Sequence, residues 1–413
     1  MTAAAAMPVA IAPESVWMAR PRLRGFVIAL TKPVFLAAGA IAWLVIRLVE
    51  PWRRVRVGML VYDRIGHLAI NTEVFLRRTA RHPSPRDFTI LVSGPPANRQ
   101  LFEMIARRTR VWRSPWALRL FVHGLRPFIA GTRFELELPF NGNEYEILAG
   151  AKPQLSFTAD EEEAGRRVLL EMGIEPGRSF VCFHARDRAY LDAIHPRSTL
   201  GNSAYHGYRD CAIENYLPAV RGLAQRGLFA LRMGAVAERP LAPDHPRIID
   251  YAAKHRCDFA DVYLMARCKF MLASTSGVCV VPPIFGVPVA LANFTPLGYA
   301  TWSACDLFIP KTYHDTHGRA LSYRRIMELG ASMWIDGQQF YEAGIQVVEN
   351  TAEEIAELAE EMDARLDGRW VALPEDEELQ RKYRSLFPPE HRITGYPARV
   401  GAAFLRRHRA LLD

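Results

Sequence analysis

At 413 residues and 50% hydrophobic, the chain is long enough for two domains with cores of their own, which excludes a small cross-linked scaffold. Six cysteines without a Cys-x-x-Cys pair, and no histidine cluster at ligand spacing, exclude a zinc site and a disulfide framework and favour a reduced, cytosolic catalytic region. The formal charge of +8 is modest, and much of the excess flanks one apolar segment instead of following an aromatic-interleaved groove, which argues against a nucleic-acid partner.

The first two dozen residues are rich in Ala and Pro. Residues 25–49 form the most apolar segment, entered by Arg20, Arg22, Arg24 and Lys32 and followed by Arg47, Arg53, Arg54 and Arg56. Lys32-Pro33 is expected to interrupt it, leaving residues 34–46, roughly 20 Å of helix against a hydrocarbon core of roughly 30 Å. Basic residues on both sides disfavour a simple span, and no small-residue cleavage site follows closely. The expectation is an in-plane or re-entrant anchor on an anionic surface, with Trp43 and Trp52 at the interface; the alternative is a helix buried on the first domain. A peripheral or monotopic location on the cytoplasmic face of the inner membrane follows from the anchor.

Residues 55–62 read as a strand, Asp63 to Leu68 as a turn, and the next stretch as a helix to about Arg81. Residues 88–92 are a second strand, followed by Gly94-Pro95-Pro96 and a helix ending in Arg107-Arg108. Residues 112–143 are less regular, and Trp116, Phe121, His123, Phe128, Phe134 and Phe140 are candidates for an acceptor groove or for core. Thr158 followed by acidic residues marks a capped helix. Beyond it come strands at 179–183, 228–233, 248–251, 270–273 and 288–292, with helices near Asn215, at Asp258, and after a Ser-Thr-Ser-Gly turn whose Pro282 and Pro283 place the helix start beyond Gly277. This alternation predicts an α/β fold with parallel sheets, in two Rossmann-like domains. The boundaries expected are 1–54 for the arm, 55–156 for an acceptor-side domain, 157–370 for a donor-binding domain and 371–413 for a helical tail.

Ligands of such sheets bind at the carboxyl ends of strands. Four loops there hold polar residues suited to a nucleotide diphosphate: His184, Arg186 and Asp187; Arg232 and Gly234; Asp250 and Tyr251; and Ser274, Thr275, Ser276 and Gly277, with Asn293 at the end of the next strand. An arginine at a strand end reaches a pyrophosphate in bidentate fashion, and the turn offers hydroxyls and N–H groups to a phosphate. Ordinary helix capping accounts for the same Ser and Thr residues. Neither a P-loop nor a complete Gly-x-Gly-x-x-Gly fingerprint is present, and no Asp-x-Asp lies in a polar turn after a strand, so a metal-dependent transferase site and a cofactor are not expected.

The runs FVCFHARDRAYL, YHGYRDCAIENYLPAVRGLAQRGLFALRMG, IIDYAAKHRCDFADVYLMARCKFMLASTSG and IFGVPVALANFTPLG, with RIGHLAIN in the first half, resemble a family of bacterial glycosyltransferases of surface-polysaccharide and flagellar or O-antigen loci. The resemblance covers roughly 54–370. His184 and Arg186 are also similar to the GDP-binding His-x-Arg motif of fucosyltransferases. The resemblance implies a GT-B fold, two Rossmann-like domains facing a cleft, and hexosyl or deoxyhexosyl transfer from a nucleotide sugar to a glycan, lipid-linked or protein acceptor. His67, Asp63 and Asp187 are the candidates for the base, His67 first because it follows a glycine at a strand-to-helix turn; a helix-capping role is its plain alternative. Two other activities compete: a nucleotide-sugar 2-epimerase, and a membrane-attached polysaccharide assembly subunit without catalysis.

Overall fold

The computed structural model describes residues 21–140, 144–187, 207–235, 239–242, 244–299, 301–389, 391 and 394–413, with side chains from residue 31 onward. The chain forms two compact units interleaved in sequence: Met1–Met59, Ser84–Gly94 and Arg110–Glu137 make one, and Leu60–Pro83, Pro95–Thr109 and Leu138–Asp413 the other.

The smaller unit combines a long apolar helix, α1 (Pro21–Val49), with four parallel strands in the order β3-β2-β1-β4: β1 (Arg54–Met59), β2 (Asp87–Ser93), β3 (Arg110–Arg113) and β4 (Glu135–Leu136). The expected break at Lys32-Pro33 does not occur. Pro33 removes one bond of the helical ladder, and the turns that follow pack firmly enough to carry the helix past it. Ile46 joins Val57, Val92, Phe121, Leu125, Ile129 and Phe134 in one core, with Ala42 and Trp43 against it. Gly39 meets Gly124 of the π-helical stretch Leu120–Leu125 so closely that a Cβ on Gly39 would lie 2.1 Å from the Gly124 carbonyl carbon. Phe121 and Phe134 are therefore core and not groove, because the apolar helix needs a partner along one face.

The larger unit holds a seven-stranded, wholly parallel sheet in the order β13-β10-β9-β8-β5-β6-β7, and a two-stranded antiparallel ribbon. Its strands are β5 (Phe180–His184), β6 (Phe229–Arg232), β7 (Ile248–Ile249), β8 (Met271–Ala273), β9 (Val289–Phe294), β10 (Leu307–Pro310) and β13 (Arg399–Val400), while β11 (Thr312–His314) and β12 (Gln346–Val348) form the ribbon. All six residues of β9 are buried, as expected of a strand covered on both faces. The chain steps outward from β5 through β6 to β7, then crosses back to add β8 on the other side of β5. The strand expected at 248–251 stops at Ile249, and Tyr251 starts a helical turn (Tyr251–Lys254). Thr158 caps its helix through a complete capping box, as its spacing indicates.

Helices α2 (Ile65–Arg81) and α3 (Arg99–Arg108) follow strands of the four-stranded sheet in sequence, yet both belong to the unit with seven strands. Arg77 anchors α2 there. Its Nε donates to Glu73 Oε1 at 2.7 Å, and its other nitrogens donate to the carbonyls of Leu148, of Ala151 at 2.8 Å and of Ile284 at 2.8 Å. Glu73 also accepts from the Gln154 N–H at 2.8 Å, and burial pushes its carboxyl upward against these bonds. Neither side chain reaches solvent, at 2% and 0% exposure, so each charge depends on the other. Arg77→Met keeps the bulk of the stem but strands the carboxylate, and is expected to cost on the order of 3–5 kcal/mol. A large fall in thermal midpoint, partly recovered when Glu73→Gln is added, is the expected result.

Candidate functional site

The order of the larger sheet reverses between β5 and β8, and a crevice opens at such a point beyond the carboxyl ends of the strands. His184 pairs in register with Ala273, and the two strand ends are laced together: the Ser274 N–H donates to the His184 carbonyl at 3.1 Å, and the Arg186 N–H to Ser274 Oγ at 2.9 Å. Ser274 is fully buried by this lacing. Thr275 Oγ1 accepts from the Thr295 N–H at 3.2 Å, tying the turn to the end of β9.

His184 is largely buried, and its Nδ1 lies 3.0 Å from the Met233 carbonyl. A carbonyl only accepts, so Nδ1 carries the proton and Nε2 keeps a lone pair. Burial holds the imidazole below its ordinary value, with Arg232 and Arg186 acting in the same direction and the Met233 carbonyl and Asp187 against it.

Positive charge gathers beside this crevice. The Arg186 guanidinium is ion-paired to Asp210, and its pKa is held down by burial and then by the charge of Arg209. Lys311, just past β10, is 2% exposed; its Nζ donates to the Asp210 carbonyl at 2.7 Å, and burial lowers its pKa. Arg209 acts electrostatically on both Arg186 and the Cys279 thiol, which donates to the Ser276 carbonyl at 3.0 Å. Arg209 therefore lies within electrostatic reach of both the end of β5 and the turn after β8. Its Nε is buried with no hydrogen-bond partner among the described residues, and so is Ser276 Oγ apart from the neighbouring Cys279 thiol. A buried guanidinium nitrogen and a buried hydroxyl left open at one strand-end crevice are a site in want of an acceptor.

The helix beyond this turn is short: one 3-10 turn (Val278–Val280) and one α turn (Val281–Ile284), with Pro282 and Pro283 in its first positions. Its start beyond Gly277 agrees with the proline placement, but two short turns sum to little dipole, so any anion binding here rests on side chains. Gly277 instead meets the first turn of α2: a Cβ on Gly66 would lie 2.7 Å from the Gly277 Cα. His67, the next residue, thus lies beside the turn. Its Nδ1 is 3.2 Å from Asn71 Oδ1, and the Asn71 amide nitrogen donates to the Leu138 carbonyl at 2.5 Å. That second bond turns the amide oxygen toward the ring, so His67 donates from Nδ1 and Nε2 is left as an acceptor. Asp63 is exposed ahead of α2, and Asp187 lies close enough to His184 to act on it electrostatically.

Four candidates from the sequence do other work. Arg232 is 5% exposed, donates to the Arg239 carbonyl at 2.7 Å and pairs with Asp250 at 3.6 Å, while Asp250 also accepts from the Leu241 N–H at 2.7 Å. This buried pair fastens the loop between β6 and β7, with Gly234 at positive φ beside it. Tyr251 is fully buried; its hydroxyl contacts Asp261 at 2.9 Å, the Cys257 carbonyl at 3.1 Å and the Cys257 N–H at 3.1 Å, and it cannot bracket a base or sugar. Asn293, at φ 53, exchanges bonds with Asn350 at 2.6 and 2.8 Å and donates to the Tyr216 hydroxyl at 3.2 Å, so its side chain is spent internally. Arg209, Asp210 and Lys311 are not among the residues that the sequence pattern singles out. Lys311 does carry a signal, a cation directly after an apolar strand, as Arg186 is near the end of one; Arg209 carries no periodic signal. A cavity of about 620 Å³ borders the same loop at Gly207 and Tyr208, with Phe340 and Tyr341 on its wall.

No family model matches the chain, and no curated protein does. Among solved structures it is similar to a glycosyl transferase family 9 protein from Veillonella parvula, with 11% identity, 75% of this chain and 97% of that chain covered, and a TM-score of 0.46. It is also similar to the ADP-heptose lps heptosyltransferase II of E. coli (13% identity, 57% and 84% covered, TM-score 0.36) and to E. coli heptosyltransferase WaaC with ADP (10%, 62% and 91%, TM-score 0.33). At these scores neither the sites nor the reactions of those enzymes carry over to this chain.

His184 yields a prediction in pH. The folded state keeps the ring neutral, whereas an unfolded imidazole takes a proton below about 6.5. Its contribution is complete above that value and is lost as pH falls through it toward the lower folded pKa. His184→Asn, whose amide N–H can replace Nδ1–H toward Met233, should flatten the stability slope between about pH 5 and 7, measured by thermal melts across pH.

Proposed function

We propose that the larger unit binds a nucleotide-diphosphate sugar and that the protein is a glycosyltransferase acting on a glycan, lipid-linked or protein hydroxyl. The observation that supports this most is the pair of open buried groups, Arg209 Nε and Ser276 Oγ, at the crevice where the sheet order reverses. A diphosphate supplies the acceptor oxygens that both lack, and Arg186 and Lys311 add charge beside them. These three cations take the part that a divalent ion plays elsewhere, so binding and turnover should survive a chelator.

In an inverting displacement, the acceptor oxygen attacks the anomeric carbon while His67 Nε2 takes its proton. The bond from that carbon to the diphosphate oxygen breaks, and the electron pair leaves with the nucleotide diphosphate, whose growing charge Arg209, Arg186 and Lys311 stabilise. Asn71 fixes the tautomer that leaves Nε2 open. The same placement favours transfer over epimerisation only through His67, and product analysis with nucleotide sugar alone separates the two.

The first test is a thermal-shift screen, in the presence of EDTA, against UDP, GDP, CMP, dTDP and ADP. One nucleotide should stabilise the protein selectively, and no response at millimolar concentration would sink the proposal. Arg209→Met and Ser276→Ala should each weaken that nucleotide; for Arg209, roughly 10- to 100-fold is expected from losing a charge-assisted bond, read by calorimetry. His67→Ala should leave nucleotide affinity unchanged and lower turnover roughly 100-fold or more. Equal losses of affinity in all three variants would point to a disturbed fold instead of separate roles.

A further inference from the structure

The charge of the chain is partitioned. The unit built from Met1–Met59, Ser84–Gly94 and Arg110–Glu137 contains 14 Arg and Lys against 5 Asp and Glu, and the other unit 38 against 39, so the whole excess of +8 lies in the smaller one. That unit also carries α1, whose segment Thr31–Val49 has a mean hydropathy of 1.8 and is only 17% buried.

The two faces of α1 are occupied differently. Gly39 and Ile46 are buried, Phe35, Ala42 and Trp43 partly so, and this face packs on its own unit: Gly39 against the Gly124 backbone, Trp43 stacked on Phe128 at 6.2 Å, and Phe35 6.0 Å from Trp116. The outer face presents Val34 (70% exposed), Ile41 (63%), Leu44 (58%), Val45 (53%) and Leu48 (71%), nearly all at helical spacing along one stripe. Trp52, just past the helix, and Trp116, beside Phe35, are 69% and 65% exposed. Arg53 and Arg119 are exposed next to them, with Arg119 5.5 Å over the Trp116 ring. Five exposed aliphatic side chains in one stripe exceed what a water-facing helix normally shows.

We propose that the outer face of α1 is a monotopic docking surface for an anionic phospholipid membrane, with the helix lying in the plane of the interface. Composition alone would allow Thr31–Val49 to cross a bilayer, at roughly 28 Å of helix. The packed face forbids it: three turns from Phe35 to Ile46 are held to a folded, basic domain, and crossing would strip Gly39 from Gly124 and open the core at Ile46. The charge specifies the partner, since a unit with an excess of nine positive charges that carries an exposed apolar stripe, with Arg53 and Arg119 exposed beside its tryptophans, matches acidic headgroups over acyl chains. The tryptophans sit where such rings settle, at the headgroup level.

The test is flotation of the purified full chain with vesicles of phosphatidylcholine alone and of phosphatidylcholine mixed with phosphatidylglycerol. The protein should float with the anionic vesicles and not with the neutral ones, and high salt should release it. Ile41→Glu with Leu48→Glu, both exposed and so neutral to folding, should cut binding roughly tenfold or more at an unchanged thermal midpoint, and Arg53→Glu with Arg119→Glu should do the same. Four results overturn the proposal: no flotation with either vesicle, flotation indifferent to the helix-face pair, binding that resists both salt and alkaline carbonate after reconstitution, which would mean a spanning helix, and light scattering that shows a dimer lost in Ile41→Glu with Leu48→Glu but no vesicle binding, which would mean that a second copy covers the face.

Discussion

One buried ion pair sets the position of the elements around the candidate site. Arg77 carries a full charge out of water, and the cost of doing so is met by Glu73 and by three carbonyls from two separate segments. One of these carbonyls belongs to Ile284, at the far end of the short helix that follows the Ser274–Gly277 turn. Three turns earlier on α2, Gly66 touches Gly277 itself. Helix α2 is thus fixed at two points to the same segment, once by charge and once by backbone contact. Between those points its freedom to slide or roll is gone, and His67 inherits a defined place beside the turn.

The crevice shows the opposite condition. Most of the polar groups near it are satisfied: Ser274 by Arg186, Thr275 by Thr295, His184 by Met233, Lys311 by Asp210. Folding has used these bonds to hold the strand ends in place, and the groups left over are Arg209 Nε and Ser276 Oγ. Pre-paid order of this kind suits a charged ligand, because the donors need not be desolvated or oriented when it arrives. The nearby Asp210 tempers the positive charge at Arg186 and Lys311, and Glu349 tempers it further at Lys311.

Much of the architecture was legible in the sequence and much of the site was not, for a physical reason. Strand-helix alternation, the helix from Ile65 to Arg81, the capping box at Thr158 and the proline-delayed helix after Gly277 are local features, written in residues a few positions apart. Which sheet a helix covers is not local: the apolar stripe of α2 says only that one face is buried, and Arg77 decides where through carbonyls up to 207 positions away. Arg186 and Arg232 look alike in sequence, each a cation at the end of a buried strand. Arg232 finds Asp250 inside the β6–β7 loop, whereas Arg186 lies at the crevice with Arg209 and Lys311. Asn293 likewise reads as a strand-end ligand until Asn350, 57 residues on, claims it.

The contact of Gly66 with Gly277 separates what can vary from what cannot. With no side chain on either residue, the spacing between the first turn of α2 and the turn after β8 is a backbone dimension, the same whatever surrounds it. The segment that brings Tyr208, Arg209 and Asp210 to the crevice is held by backbone and side-chain bonds alike: the Cys211 N–H donates to the Arg186 carbonyl at 3.0 Å, Asp210 pairs with Arg186 and accepts from Lys311, and a cavity borders Gly207 and Tyr208. Substitutions in that segment can therefore change the side chains at the crevice, while the spacing set by the two glycines stays constant. The side chains at the crevice are thus an attribute of the segment around Arg209 and the place of His67 an attribute of the frame, so a substitution can alter one and leave the other where it is.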